Sequence, residues 1–206
     1  MPGSNIPMAA LGAWILWLGW FGFNGGSELK VSEVSSATAV SQVFLNTNLA
    51  AAGGVLTAMF MSLAVTGKMD VTMAINGAIA GLVSITADPL SPSAGTAIIV
   101  GAIGGAIVYA SIVFLEKAGI DDPVGAISAH GTVGIWGVLV VSLTGGASFG
   151  GQLIGVLMIA GFTYLASLGT ILAINKFVMP IRASDAEQEA GLDISEVGIE
   201  AYPEFK

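Results

Sequence analysis

The sequence predicts an all-α membrane protein with six transmembrane helices, and two observations support this prediction. First, 54% of the 206 residues are hydrophobic, only 10% are charged, and the mean hydropathy is +0.86. This composition excludes an ordinary soluble domain and a disordered chain. Second, the apolar residues form long runs, each near the ~20 residues that a membrane-spanning helix needs. Clusters of turn-forming residues separate these runs.

The six predicted spans follow one another along the chain, and each ends at a turn signal. They lie at about 7–24, 40–64, 72–88, 94–115, 123–144 and 151–178. The breaks between them are rich in glycine, proline and polar residues, at 24–27, 66–70, 88–92, 117–122 and 144–151. The third span is the shortest; it contains Asn76 and ends at Asp88-Pro89.

The chain divides into a transmembrane domain, residues 1–180, and an acidic tail, residues 181–206. The net charge of −8 reflects the tail, because seven of the 14 acidic residues follow position 184. The sequence has no cluster of basic residues, so we expect no nucleic-acid partner. It also lacks cysteine and therefore has neither disulfides nor thiolate metal ligands.

The basic residues predict the orientation in the membrane. Six spans place five of them on one side, namely Lys68, Lys117, Lys176, Arg182 and Lys206, and only Lys30 on the other. Because cytoplasmic loops carry an excess of lysine and arginine, we expect both termini in the cytoplasm of a multi-pass plasma-membrane protein.

His130 is the only histidine, and it lies inside the fifth predicted span. If Asp121 or Asp122 caps that helix and Pro123 occupies its first turn, His130 lies roughly 11–12 Å from the helix end. An ionisable side chain at such a depth indicates a functional site, and the alternative is a hydrogen bond that ties two helices together. Ser128 faces away from His130 on a helix.

Metal and cofactor binding are not expected. No other acidic or basic residue lies in the interior of a predicted span, and one histidine supplies too few ligands for a metal ion. The asparagines of the second and third spans, Asn46, Asn48 and Asn76, are expected to form hydrogen bonds between closely packed helices.

An aromatic stripe runs along the first span, with Trp14, Trp17, Trp20 and Phe23 at steps of three. Trp14 and Trp17 are typical of a belt that anchors a helix at the membrane interface. Trp20 and Phe23 are flanked by glycines, which let a guest approach the ring faces, and such faces attract a cation by about 0.5–2 kcal/mol. Ser27 can accept a hydrogen bond from the same guest. The pattern indicates a site for a small cation.

Six stretches in order resemble those of a known family. They are Gly19-Trp-Phe-Gly-Phe-Asn-Gly-Gly-Ser27, Asn46-Thr-Asn48, Gly77-Ala-Ile-Ala-Gly-Leu82, Asp121-Asp-Pro123, Ala129-His-Gly131, and Gly191-Leu-Asp193 with Glu200-Ala-Tyr202. The chain resembles the second half of an ammonium transporter of the Amt/Mep/Rh group. The resemblance implies an eleven-span fold built from inverted repeats, of which this chain corresponds to spans six to eleven and the tail.

The resemblance also implies roles for individual residues. The pore and substrate residues that it implies are Trp20, Phe23, Ser27, Ile79, Ala126 and His130. His130 is similar to the second of two pore histidines, Phe23 to one of two phenylalanines that gate the outer side, and Ser27 to the serine of the outer recruitment site. Trp20 is similar to a pore-lining tryptophan, and Ala126 and Ile79 to apolar wall positions.

The function implied is transport of ammonium or ammonia through an apolar pore lined by His130, with no enzymatic activity and no cofactor. A neutral imidazole can donate a hydrogen bond from one nitrogen and accept one at the other. The resemblance further implies a homotrimer in the complete protein and docking of a P-II-type signalling protein at the cytoplasmic face. The tail has Val197-Gly-Ile-Glu200 where many members have His-Gly-Glu, a departure that bears on this regulation.

A second departure concerns the first half of the family fold. The chain begins with Met1 where a family member would already have five spans, including the first pore histidine. We therefore expect the chain to act as the C-terminal part of a complete transporter, and the alternative is a truncated fragment that is inactive alone. An intramembrane serine protease is a remote alternative, because no Gly-x-Ser-Gly sequence occurs.

Overall fold

The computed structural model describes residue 3 and residues 5–204, and all regular secondary structure in this part of the chain is helical. The helices are α1 (Ile6–Gly26), α2 (Val34–Thr66), α3 (Val71–Ile85), α4 (Ala94–Lys117), a first π-helix (Ile127–Thr132), α5 (Val133–Thr144), α6 (Phe149–Phe177), α7 (Asp185–Ala190) and a second π-helix (Asp193–Val197). The predicted all-α membrane fold is confirmed.

Within the described residues, five segments are long and apolar enough to cross a membrane: α1, α2, α4, the first π-helix together with α5, and α6. The third predicted span is shorter than expected, because α3 ends at Ile85 and has 15 residues. At 1.5 Å per residue α3 reaches about 22 Å, less than the ~30 Å hydrocarbon core. All residues from 76 to 82 are buried, so α3 is the central helix of the bundle.

The helix ends follow the expected capping chemistry. Asp70 Oδ1 accepts the Thr72 N–H of α3 at 2.7 Å, and Ser93 Oγ accepts the Thr96 N–H of α4 at 3.2 Å. α2 ends at Gly67, whose φ of 76° is the left-handed conformation that glycine adopts at low cost. Each cap satisfies a backbone group that the helix itself leaves unpaired.

The core is formed where α2, α3 and α4 approach backbone to backbone. A Cβ atom at Gly54 would overlap the carbonyl oxygen of Gly77, and one at Gly101 would overlap the carbonyl oxygen of Ala50. Small residues allow such close helix packing in membranes, where van der Waals contact drives association. The largest fully buried apolar side chains are Val43, Leu82, Ile85, Val108 and Val133.

The fifth predicted span is not one regular α-helix. It begins with the first π-helix at Ile127 and continues as α5. Gly125 has a φ of 75°, a left-handed conformation that interrupts any helix begun at Pro123. The N-cap position is Ala126 and not Asp121 or Asp122, although Asp122 Oδ2 accepts the Ile127 N–H at 3.0 Å from outside the helix. The prediction for Pro123 is wrong, because this residue precedes the helix.

This late start changes the position of His130 along the helix. The prediction placed His130 seven residues from the helix end, whereas it lies three residues after Ile127. The predicted distance of 11–12 Å from the helix end is therefore wrong, and His130 lies about one turn into the helix.

The predicted bonds between helices are only partly found. The Nδ2 atom of Asn46 donates to two proline carbonyls in the loop between α3 and α4, at 2.9 and 2.8 Å, which ties α2 to this loop. Asn76 instead donates to the Thr72 carbonyl of its own helix at 3.0 Å, and Asn48 is exposed.

The contacts divide the chain into two compact units, residues 1–156 and 157–206, with the boundary inside α6. None of the residues of α6 is buried. The predicted domain boundary at residue 180 stays a prediction. The terminal Lys206, which contributed to the predicted orientation, lies outside the described residues.

The tail contains a short capped helix and an ordered acidic turn. Ser184 and Glu187 form a capping box at the beginning of α7, and hydrogen bonds from Ser184 lower the pKa of Glu187. Asp193 Oδ2 accepts the Ala201 N–H at 2.9 Å, and this bond lowers the pKa of Asp193. The two carboxylates therefore hold local backbone structure in their ionised forms.

Candidate functional site

Trp20 lies at the centre of the candidate site. Its indole ring stacks on the imidazole of His130, with 6.2 Å between ring centroids and 19° between ring planes. The ring of Phe23 meets the same indole edge to face, at 5.9 Å. The structure therefore brings together three predicted site residues, two from α1 and one from the first π-helix.

The Trp20 ring is held by a hydrogen bond from across the bundle. Its Nε1–H donates to Thr86 Oγ1 at 2.7 Å, and the Thr86 hydroxyl donates to the Leu82 carbonyl at 2.7 Å. Because Thr86 terminates α3, the central helix fixes the plane on which the imidazole of His130 stacks. Sequence reasoning missed Thr86, and a hydroxyl at the end of a buried helix is the signal that could have indicated it.

The first π-helix presents His130 on one side and a row of hydroxyls on the other. Ser111 of α4 donates to Ser128 Oγ at 2.9 Å and lies 3.0 Å from Thr132 Oγ1. Ser128 is fully buried and His130 is exposed, so the prediction that Ser128 faces away from His130 is confirmed. π-helical turns recur at functional sites, and here the wider turn carries the imidazole.

Two cavities share His130 as a lining residue. The first, which we call the aromatic cavity, has a volume of about 420 Å³ and is lined by Trp20, Phe23, Val83, Thr86, Ala87, His130, Gly134, Gly137 and Val138. The second, which we call the amide cavity, has a volume of about 230 Å³ and extends from His130 to Asn76. Its walls include Ile79 and Ala126.

The predicted site residues thus divide between the two cavities. Trp20 and Phe23 line the aromatic cavity, whereas Ile79 and Ala126 line the amide cavity. Ser27 lines neither; it caps the end of α1, and its hydroxyl donates to the Phe23 carbonyl at 2.8 Å. The Ser27 oxygen keeps lone pairs that can accept a hydrogen bond from a guest near Phe23.

Both cavities have apolar walls. Among the described residues, the lining side chains include no carboxylate, ammonium or guanidinium group, and His130 is the only titratable one. No group of three potential metal ligands occurs in the described part of the chain. The arrangement can attract a small cation to the aromatic faces and can hydrogen-bond a neutral molecule at the imidazole.

The family assignment rests on a match to residues 1–202, which fit the model described as Ammonium Transporter Family. The chain belongs to this family, so the resemblance noted in the sequence is confirmed. The family consists of transporters rather than enzymes, which excludes the serine protease alternative.

Individual relatives and solved structures agree with this assignment. Ammonium transporter Amt2 of Archaeoglobus fulgidus is 40% identical over 100% of this chain and 47% of the relative. Ammonium transporter Amt2 of Methanocaldococcus jannaschii is 37% identical over 98% of the chain and 48% of the relative. A structure called Sensor Amt Protein superposes with a TM-score of 0.86 at 33% identity, over 94% of this chain and 49% of that one. The chain spans about half the length of the curated relatives it matches.

Proposed function

We propose that this chain forms one wall of an ammonium pore and acts as the C-terminal part of a complete transporter. The observation that supports this function best is the position of His130, which lines both the aromatic cavity and the amide cavity. A permeant molecule that moves from one cavity to the other passes the imidazole.

The aromatic cavity is the proposed entry. Ammonium is costly to move through hydrocarbon because it must lose its hydration shell. The faces of Trp20 and Phe23 attract the cation by about 0.5–2 kcal/mol and so offset part of this loss. Ser27 accepts a hydrogen bond from the ion at the same end of α1. The ion gives its proton to a water molecule at this open mouth, and neutral ammonia passes His130, whose imidazole can donate one hydrogen bond and accept another.

The opposite wall of the pore is proposed to come from a first half of the family fold. Phe23 is 62% exposed and His130 is also exposed, so these two site residues lie on the surface of the bundle. In transporters built from inverted repeats, the substrate site forms at the repeat interface. A first half packed on α1 and the first π-helix would enclose both cavities.

The oligomeric state, the membrane and the orientation of the complete protein are also proposed from the family. The complete protein is a homotrimer in the plasma membrane, with both termini of this chain in the cytoplasm. The ordered Asp193 turn in the tail is the proposed contact for a P-II-type signalling protein.

The test is uptake of methylammonium by cells that lack their own ammonium transporters. The chain is expressed alone and together with a separate five-span first half from a family member. We expect uptake only with the first half, and His130→Ala should abolish either flux or selectivity over other monovalent cations. The matched control is Ile135→Ala, which truncates an exposed side chain one turn further along. Unchanged selective uptake in His130→Ala would contradict the proposal.

A further inference from the structure

One buried side-chain atom in the described part of the chain has no hydrogen-bond partner, and this atom is Asp88 Oδ2. Asp88 lies in the loop between α3 and α4 and lines neither the aromatic cavity nor the amide cavity. No lysine, arginine or histidine nitrogen of the described residues lies within 4.0 Å of this carboxylate. Because a buried carboxylate oxygen is unfavourable without a partner, this atom indicates a bound group that the chain itself does not supply.

Hydrogen bonds hold the Asp88 carboxylate in place. Its Oδ1 atom accepts the Ser91 N–H at 3.1 Å, and the Asp88 N–H donates to the Ile85 carbonyl at 3.2 Å. The carbonyl of the next residue, Pro89, accepts a bond from the buried Asn46 of α2 at 2.9 Å. Rotation of the carboxylate toward solvent would break the bond to Ser91, so Oδ2 stays buried.

The C-terminal end of α5 lies against Asp88 Oδ2. A Cβ atom at Gly145, which directly follows α5, would overlap this oxygen. The last backbone bond of α5 joins the Gly145 N–H to the Val141 carbonyl at 2.8 Å. No backbone N–H of the described residues bonds the carbonyls of residues 142–144. Because the free carbonyls at a helix C-terminus carry partial negative charge, they and Asp88 together attract a cation.

We propose that Asp88 Oδ2 and the carbonyl oxygens at the end of α5 bind one Na⁺ ion. Carboxylate and carbonyl oxygens are the ligands of hard cations, and C-terminal helix ends coordinate Na⁺ in other transporters. The one carboxylate balances a monovalent ion, whereas calcium sites use more acidic ligands. The other ligands are backbone oxygens, which leave no side-chain motif in the sequence. The ion joins α5 to the loop after α3 and lies outside both cavities, so it is structural and does not permeate.

Thermal unfolding of the full chain in detergent tests this site. NaCl is replaced stepwise by choline chloride, which keeps the ionic strength and therefore the charge screening constant. A ligand that binds only the folded state raises the unfolding temperature, by about 5–10 °C when its concentration reaches about 100 times the dissociation constant. We expect this rise with Na⁺, and we expect the chain to broaden the ²³Na NMR line, which measures binding without unfolding.

The first variant removes the charge of the proposed ligand. Asp88→Asn keeps an oxygen for the Ser91 N–H, and its amide can donate to the carbonyls at the end of α5. We expect it to unfold at the same temperature with and without Na⁺ and to leave the ²³Na line unbroadened. The matched control is Glu116→Gln, which neutralises an exposed carboxylate at the other end of α4 and should keep the full Na⁺ response.

A second pair of variants tests the contact with α5. Gly145→Ala adds a methyl group where Asp88 Oδ2 lies and should abolish the Na⁺ response. Gly150→Ala is the control, because the nearest atom to its added methyl is Ser148 Oγ at 3.9 Å, and it should keep the response. Asp88→Asn keeps the test decisive if Gly145→Ala does not fold.

Three results would overturn the proposal. The first is an unfolding temperature of the unchanged chain that does not depend on Na⁺. The second is an equal Na⁺ response in Asp88→Asn and in the unchanged chain. The third is stabilisation by CaCl₂ at the same ionic strength without stabilisation by NaCl, which would assign the site to a divalent ion.

Discussion

The helix core and the site surface of this chain differ in burial: the core is fully covered by residues of this chain, and the site surface is not. In the core, α2, α3 and α4 touch backbone to backbone and bury apolar side chains completely. On the surface formed by α1 and the first π-helix, Phe23 and His130 are exposed and line open cavities. The chain therefore specifies its own scaffold, whereas the proposed transport site requires a second wall.

The largest expected effect is on the core. Gly54→Ala should destabilise the bundle by about 1–3 kcal/mol or more, because the added methyl overlaps the backbone of α3. The matched control is Gly19→Ala on α1, where nothing lies within 4 Å of the added atom. Thermal unfolding in detergent, followed by helical circular dichroism, measures both variants. Equal stabilities would show that the close approach of the helices is not needed.

The next effect concerns the link between core and site. Thr86→Val leaves the Trp20 N–H without its acceptor and should cost about 1–3 kcal/mol. It should also lower methylammonium uptake with a first half, because the indole plane that orients His130 is no longer fixed. Thr86→Ser retains the hydroxyl and should restore uptake. If the valine variant transports as well as the serine variant, the link plays no part in transport.

A smaller effect is expected behind the first π-helix. Ser111→Ala removes the hydroxyl that joins Ser128 and Thr132, and hydrogen bonds between membrane helices average about 0.6 kcal/mol. Ser41→Ala is the control, because its hydroxyl bonds only the carbonyl of Ala37 in its own helix. Thermal unfolding compares the two variants. A larger loss of thermal stability in Ser41→Ala than in Ser111→Ala would mean that the row of hydroxyls does not stabilise the first π-helix.

The smallest effect depends on pH and involves Asp70, in the loop before α3. The hydroxyl of Thr72 lowers the pKa of Asp70 below its ordinary value of 3.8. The ionised cap therefore stabilises the fold above that value, and this contribution is lost as pH falls through the lowered pKa. Asp70→Asn should remove this part of the acid dependence while it keeps a capping side chain. The free energy of unfolding of both proteins, measured between about pH 2 and pH 5, checks this prediction. If Asp70→Asn had the same pH profile as the unchanged chain, the prediction would be contradicted.

The sequence predicted the scaffold well because apolar length and turn residues are local signals. All six predicted spans correspond to helices. The start of the fifth was misplaced, because the left-handed Gly125 keeps Pro123 out of the helix, which begins only at Ile127. α3 was predicted too long, since the backbone N–H groups of Thr86 and Asp88 donate three residues back, to Val83 and Ile85, and form turns before Pro89.

The site was only partly predictable. His130, Trp20 and Phe23 were recognisable by residue type and by motif, but the bond from Trp20 to Thr86 joins residues 66 positions apart. The role of Asn76 was predicted wrongly, because its amide donates to a carbonyl in its own helix, and Asn76 lines a cavity formed by three segments. Such pairings depend on tertiary packing and leave no periodic signal in the sequence.

Whether a second wall covers the site surface is tested most directly by quenching of Trp20 fluorescence with lipids brominated along their acyl chains. The other tryptophans, Trp14, Trp17 and Trp136, are replaced by phenylalanine, and the chain is reconstituted alone or with a separate first half. We expect a folded chain whose Trp20 is strongly quenched when the chain is alone and protected when the first half is present. Equal quenching in both samples would contradict it, because the surface around Trp20 would then not be the one that a second wall covers.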